Sequence, residues 1–180
     1  MRRLWTTYSH LNTILAMKIL DAQQIHRKIQ RLTVEILERN YGETELILVG
    51  INNNGLQMAH LLAKELVSRT TTAVTLTQLR INPANPIDGS VFLDMPLTDV
   101  NNKVVILIDD VANTGRTIFY AVRPLLDILP KKVEVAVLVD RKHKSFPIQP
   151  DYVGLSLATT LKEHIDVQIR DESAWAVYLN

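Results

Sequence analysis

The run from Val104 to Thr117, Val-Val-Ile-Leu-Ile-Asp-Asp-Val-Ala-Asn-Thr-Gly-Arg-Thr, constrains the fold more than any other part of the chain. Its apolar residues, Val104 to Ile108, read as a buried strand that ends in paired acids, Asp109 and Asp110. A short loop of small residues follows, and an amphipathic segment opens at Arg116 and Thr117. Backbone N–H groups in such a strand–turn–helix point outward and attract a phosphate. The carboxylates stand at the strand's C-terminal end, where open α/β sheets bind ligands. A phosphate cradle beside two acids suits a phosphorylated sugar, because amides take the phosphate and acids accept from ribose hydroxyls. An ordinary strand–turn–helix with a solvated acid pair is the competing reading.

The rest of the chain alternates in the same way. Asp21 and Gln24 form a capping-box pattern, and Ile25, Ile29, Leu32 and Ile36 recur at helical spacing, so a helix is predicted to about Arg39 and to end at Asn40 or Gly42. Leu46 to Ile51 reads as a buried strand, Gly50 to Gly55 as a loop, and Leu56, Ala59, Ala63 and Leu66 as the next helix. Strands are predicted at Thr72–Leu79, Lys103–Ile108, Val133–Val139 and Tyr152–Leu157, with Val167–Arg170 and Ala174–Tyr178 closing the sheet. Pro124 predicts a kink or an early stop in the helix after the acid pair. Residues 80–102, with Pro83, Pro86, Gly89 and Pro96, form a long irregular insertion with a hairpin expected near Ser90 to Leu93. The pattern is α/β, with a mostly parallel sheet flanked by helices.

At 180 residues the chain is long enough for one full core. A formal net charge of +1 excludes a globally basic nucleic-acid binder but not a local basic face. The chain has no cysteine and therefore neither a disulfide framework nor a thiolate zinc site, and a reducing cytoplasm is its simplest home. Arg2 and Arg3 resemble the charged start of a signal peptide, yet polar residues from Thr6 to Thr13 interrupt any apolar stretch. Residues 1–16 are read as a leader or loose tail, with Met17 as the natural start and residues 17–180 as a single domain.

The acid pair followed by Thr114-Gly-Arg-Thr117 resembles the 5-phosphoribosyl-1-pyrophosphate (PRPP) signature of type I phosphoribosyltransferases. Ile19-Leu-Asp21, Glu38-Arg-Asn40, Leu48-Val-Gly-Ile51, Val137-Leu-Val-Asp-Arg141, His143, Pro147-Ile148 and Asp151-Tyr-Val-Gly154 narrow the resemblance to the PyrR family, pyrimidine-operon attenuation regulators with uracil phosphoribosyltransferase activity. The resemblance implies the type I phosphoribosyltransferase fold, with residues 80–102 as a hood insertion. It also implies transfer from PRPP to uracil, giving UMP and pyrophosphate with Mg2+, and a homodimer or higher homo-oligomer. Asp109, Asp110 and Arg80 would be catalytic, with Mg2+ held at Asp109 and Asp110 directly or through PRPP hydroxyls. Ala112, Asn113, Thr114, Gly115, Arg116 and Thr117 would bind the 5′-phosphate, and Ile51, Asn52, Asn53, Asn54 and Gly55 would form the pyrophosphate loop. Tyr152 would stack on the base and the Val153 backbone would read its edge, although Tyr152 reads equally well as a half-buried strand aromatic. Asn113 stands where purine-type relatives carry an acidic base, which an amide cannot replace, so purine salvage is disfavoured.

Two departures from the family pattern bear on turnover. The pyrophosphate loop of the family reads Lys-Thr-Arg-Gly, and here it reads Asn52-Asn53-Asn54-Gly55, so both cations facing the leaving group are missing. Arg80 matches the arginine of a Tyr-Arg-Asp-Asp segment, but Ile81 and Asn82 replace its acids. Gly50 and Gly55 also mimic a Walker A spacing, but the Lys and Ser/Thr after the second glycine are missing. Arg27, Lys28 and Arg31 on one helix face, and Arg141, Lys142, His143 and Lys144 in one loop, are candidate RNA contacts or else solvated surface. Three functions stay open at this stage: a uracil phosphoribosyltransferase that also regulates pyrimidine-operon mRNA, a catalytically weakened PRPP- or nucleotide-sensing regulator, and a phosphoribosyltransferase for another base.

Overall fold

The Asp21 capping box forms as its spacing predicts. In the computed structural model, which describes residues 16–87, 91–158 and 163–180, the Asp21 carboxylate accepts from the Gln24 amide at 2.8 Å, and the Gln24 side chain accepts from the Asp21 amide at 2.9 Å. Helix α1, Ala22–Arg39, follows and buries Ile25, Ile29, Leu32 and Ile36. Strand β1, Met17–Asp21, leads into it. The leader expectation for residues 1–16 lies outside the described residues apart from Ala16.

Six strands make the main sheet: β2 (Glu45–Ile51), β3 (Ala73–Arg80), β4 (Phe92–Leu93), β5 (Val104–Ala112), β6 (Lys132–Arg141) and β7 (Tyr152–Leu157). Their order is β4-β3-β2-β5-β6-β7, all parallel except β4, which pairs antiparallel with β3 through Leu79↔Leu93 and Arg80↔Phe92. Alternation along β5 divides the core in two. Val104, Ile106 and Ile108 join the cluster built with α1 and with helix α2 (Asn52–Val67). Val105 and Leu107 join the cluster around Ile118, Ala121 and Leu125 on the opposite face. Helix α3, Arg116–Ala121, stops early, and a 3-10 segment carrying Pro124 continues to Asp127, as the proline predicts.

Three expectations change. Gly50 to Gly55 is not a loop, because β2 passes directly into α2 at Asn52, whose φ of 52° makes the turn. The glycines serve contact: a Cβ on Gly50 would lie 2.3 Å from the Leu56 Cα, and one on Gly55 2.3 Å from the Ile108 carbonyl oxygen. The last two strands, β8 (Ile165–Gln168) and β9 (Ala176–Leu179), do not extend the main sheet but join β1 in a separate antiparallel sheet of order β1-β9-β8. That sheet packs on the α1 side of the core through Leu20, Ile165, Val167 and Val177. Residues 80–102 are not the sole cover of the strand ends: they bring Pro83 to the cavity there, and the second sheet brings His164 to Val167.

Tyr152 is fully buried at the first position of β7, level with Ile108 but two strands away from β5 and the acid pair. Its hydroxyl donates to Glu134 at 2.8 Å and accepts from the Asn40 amide at 3.0 Å, and the Arg39 guanidinium lies 5.2 Å from its ring centre. A tyrosine so enclosed does not stack on a base. Tyr152→Phe leaves Asn40 and Glu134 each short of a partner, and is expected to lower unfolding free energy by about 1–3 kcal/mol in urea titrations. The same variant is expected to leave PRPP affinity unchanged, and a selective loss of affinity would return Tyr152 to the ligand site.

Candidate active site

The sheet changes winding direction between β2 and β5, so the crevice at their C-terminal ends is where a ligand fits. A cavity of about 400 Å³ opens there, bounded by Ile51–Asn54, by Asp109 to Val111, by Asn113 and Thr117, and by His164 to Val167. Strand alternation separates the two acids. Asp110 accepts from the Asn54 side chain at 2.9 Å, on the α2 side. Asp109 borders the small hollow formed by Val111 to Ile118 at the start of α3. The Asp109 carboxylate also accepts from the Asp110 amide at 3.0 Å, and the Asp110 carboxylate from the Val111 amide at 2.9 Å, which pins both side chains.

The hollow before α3 has its carbonyls tied back. The Lys144 ammonium donates to the Ala112 and Asn113 carbonyls at 3.0 and 3.2 Å, and the Ser145 and Phe146 amides both donate to the Thr114 carbonyl, at 3.0 and 3.1 Å. With the carbonyls held away, the loop's N–H groups are left to face the hollow, the arrangement that receives an anion. Gly115, with φ 83° as the N-cap of α3, lies so close to Ile148 that a Cβ would come within 3.1 Å of it. Phe119, Tyr120 and Phe146 pack their rings together beneath, with centroids 5.4 to 6.0 Å apart.

The three asparagines after β2 each hold a neighbour. The Asn52 side chain accepts from the Ile81 amide at 3.0 Å, and Asn53 accepts from Gln78 at 3.3 Å. Asn54 donates to Asp110 and accepts from Arg170 at 3.1 Å. As the first turn of α2 they also carry the unpaired amides of a helix N-terminus. Arg80 lies apart from the acids. It pairs with Asp94 at 2.5 Å and lines a neighbouring cavity of about 440 Å³, which shares Asn52, Asn53 and Pro83 with the first.

The fourth wall is a strand edge that sequence reasoning missed. His164 and Asn180 exchange both backbone hydrogen bonds at 2.8 Å, so along β8 the even residues pair with β9. Ile165 and Val167 therefore turn their N–H and C=O groups to the free edge, on the side where the Ile169 carbonyl accepts from Gln57 at 3.4 Å. No motif marks this edge, because it works through backbone. The Val153 carbonyl assigned to base reading is instead taken by Arg31, at 2.8 Å.

A family model described as the phosphoribosyl transferase domain matches residues 16–172. The bifunctional protein PyrR of Latilactobacillus sakei is 40% identical over 167 residues, covering 86% of this chain and 91% of the relative. That of Limosilactobacillus reuteri is 36% identical over 166 residues, covering 87% and 93%. The chain belongs to the PyrR family. A crystal structure of a hypoxanthine-guanine phosphoribosyltransferase from Bacillus anthracis superposes with a TM-score of 0.73 over 89% of this chain and 95% of that one, at 17% identity, which shows the shared type I fold.

PyrR-family membership does not carry the basic residues to one surface. Arg31 is committed to the carbonyls of Val153 and Gly154 and to Glu35. Arg141 is buried and donates to Asn113 at 3.0 Å, and Lys144 is spent on Asp140 and the loop carbonyls. Arg27, Lys142 and His143 are exposed, and Lys28 is half-buried.

Burial, and then the neighbouring Asp110 carboxylate, hold the Asp109 carboxyl well above the usual carboxylate range. Because its folded-state value exceeds the unfolded one, Asp109 contributes stability at acid pH that is lost as pH rises through the folded value. Asp109→Asn is expected to remove that loss and raise the ligand-free Tm above neutrality, by about 2–4 °C for each kcal/mol of strain relieved. Thermal melts across pH check this, and an unchanged pH profile would mean that another group titrates.

Proposed function

We propose that this protein transfers the phosphoribosyl group of PRPP to uracil, releasing pyrophosphate and UMP, and that it also binds pyrimidine-operon leader mRNA. The observation that carries the enzymatic part is the single cavity where acid pair, helix N-terminus and open strand edge meet, with the phosphate hollow adjoining it. In this reading the 5′-phosphate enters the hollow of Ala112 to Thr117, with the Thr114 and Thr117 hydroxyls beside the amides. The ribose hydroxyls face Asp109 and Asp110. The pyrophosphate meets the N-terminal amides of α2 at Asn52 to Gly55, and uracil lies along the Ile165–Val167 edge, whose alternating donors and acceptors match its carbonyl–NH–carbonyl edge.

The residues fit a magnesium ion. Asp109 and Asp110 offer hard oxygen donors, and Mg2+ typically takes one or two carboxylates with waters and substrate phosphates rather than a full protein cage. When bound, it would neutralise phosphate and ribose oxygens. The chain's own work is positional. The uracil N1–C1′ bond forms as the C1′–O bond breaks; the electron pair of the C1′–O bond leaves with pyrophosphate, and the uracil N1 proton passes to solvent. The positive character that develops on the ribose is met by the two carboxylates, which must be ionised to help.

Steady-state assays with PRPP, Mg2+ and uracil or hypoxanthine test this reading. UMP formation without inosine monophosphate is expected. PRPP binding without turnover on either base would favour the second reading, a PRPP- or nucleotide-sensing regulator. That second reading draws on the loop's three amides, where the family pattern has cations.

For RNA, the positions that support the reading are exposed Arg27 beside half-buried Lys28 on α1, and exposed Lys142 and His143 in the loop after β6. Arg27→Glu with Lys142→Glu is expected to weaken binding of an operon-leader hairpin and to flatten its salt dependence by about 0.7–0.9 in log–log slope per lost phosphate contact. Filter binding at several salt concentrations reads this out. Equal affinity and slope in both proteins would remove these surfaces from RNA binding.

A further inference from the structure

The first turn of α2 offers no cation to a leaving group that departs with growing negative charge, so the charges around the cavity decide where compensation comes from. Arg80 is neutralised by Asp94. Lys144 is neutralised by Asp140 and faces the carbonyls of the phosphate loop. Arg116 reaches outward to the Ala84 carbonyl at 3.4 Å. Arg141 is occupied with Asn113.

Arg170 differs. It follows β8, is exposed, and gives one hydrogen bond, to the neutral Asn54 side chain at 3.1 Å. Among the described residues it has no acidic partner. Its neighbour Asp171 turns to the Ser173 amide and hydroxyl, and Asp166 accepts from Gln168 at 2.8 Å. Arg170 and Asn54 line one cavity of about 370 Å³, which shares Asn54, Asp166 and Val167 with the cavity of the acid pair. Through Asn54 the guanidinium is one side chain away from Asp110 and stands beside the amides of the first turn of α2.

We propose that Arg170 binds the pyrophosphate group of PRPP, supplying from beside the second sheet the positive charge that the first turn of α2 lacks. The inference rests on the reading that PRPP is the substrate. A guanidinium held by a single neutral acceptor exchanges that bond readily for a bidentate contact with phosphate oxygens, which is shorter and charge-assisted. Asn54 keeps its bond to Asp110 when Arg170 turns away, so the acid stays oriented while the charge moves to the anion. The sequence position gives no hint of this role, since a lone arginine after a short strand looks like solvated surface.

Calorimetry of the full chain with Mg2+ and, separately, PRPP, inorganic pyrophosphate and UMP tests the assignment in wild type, Arg170→Met and Arg170→Lys. UMP lacks the pyrophosphate group and serves as the internal control. Arg170→Met is expected to weaken PRPP and pyrophosphate binding about tenfold to a hundredfold while leaving UMP affinity unchanged, and Arg170→Lys is expected to recover part of the loss. Wild-type affinity of Arg170→Met for both pyrophosphate-bearing ligands would overturn the role of Arg170 alone. An equal loss for UMP would mark Arg170 as a structural prop. A folded wild-type protein that binds no PRPP would overturn the substrate reading, and this assignment with it.

Discussion

Close approach between the first turn of α2 and the strands β2 and β5 is the constraint on which the site depends. Gly50 and Gly55 remove the two side-chain carbons that would otherwise strike Leu56 and the Ile108 carbonyl. Asn52 takes the left-handed turn that lets strand become helix with no residue between. The helix end is thereby pressed against the crevice, and Asn54 reaches Asp110. Were α2 held further out by even one methyl group, its amides and the acid pair would no longer face one ligand.

The second fastening is the loop after β6. Lys144, Ser145 and Phe146 all hold carbonyls of the segment from Ala112 to Thr114, and the aromatic cluster under α3 keeps that loop from sliding. The result is a rigid anion hollow next to a carboxyl that burial keeps reluctant to ionise.

Much of this was legible in the residues. The apolar run into Asp109 and Asp110, the Thr114-Gly-Arg-Thr117 loop, the Asp21 cap and the effect of Pro124 rest on local rules, and local rules survive folding. The misreadings involved long-range placement. Gly50 and Gly55 look like loop residues because glycine is common in loops, yet here they serve tight packing. Tyr152 and Val153 lie in a segment with a family signature, but the Tyr152 hydroxyl is taken inside the core by Glu134 and Asn40, and the Val153 carbonyl by Arg31. Arg141 and Lys144 read as an exposed basic cluster, and only the neighbouring phosphate loop shows that they are internal. The Ile165–Val167 edge acts through backbone, so no choice of side chain advertises it.

The small sheet carries a consequence for the order of folding. Its β1–β9 pairing joins Met17 to Leu179, nearly the full span of the described chain, while the main sheet is assembled from neighbouring strand–helix units. Contacts between such distant positions close late and open early, because loop closure costs more before it is rewarded. The β8 wall is thus the last part of the cavity to form and the first to loosen. Partial opening of this unit would release whatever lies along β8 without disturbing the phosphate hollow. The two ends of one ligand would then be held by parts of the protein that differ in permanence, a durable hollow before α3 and a renewable edge at β8.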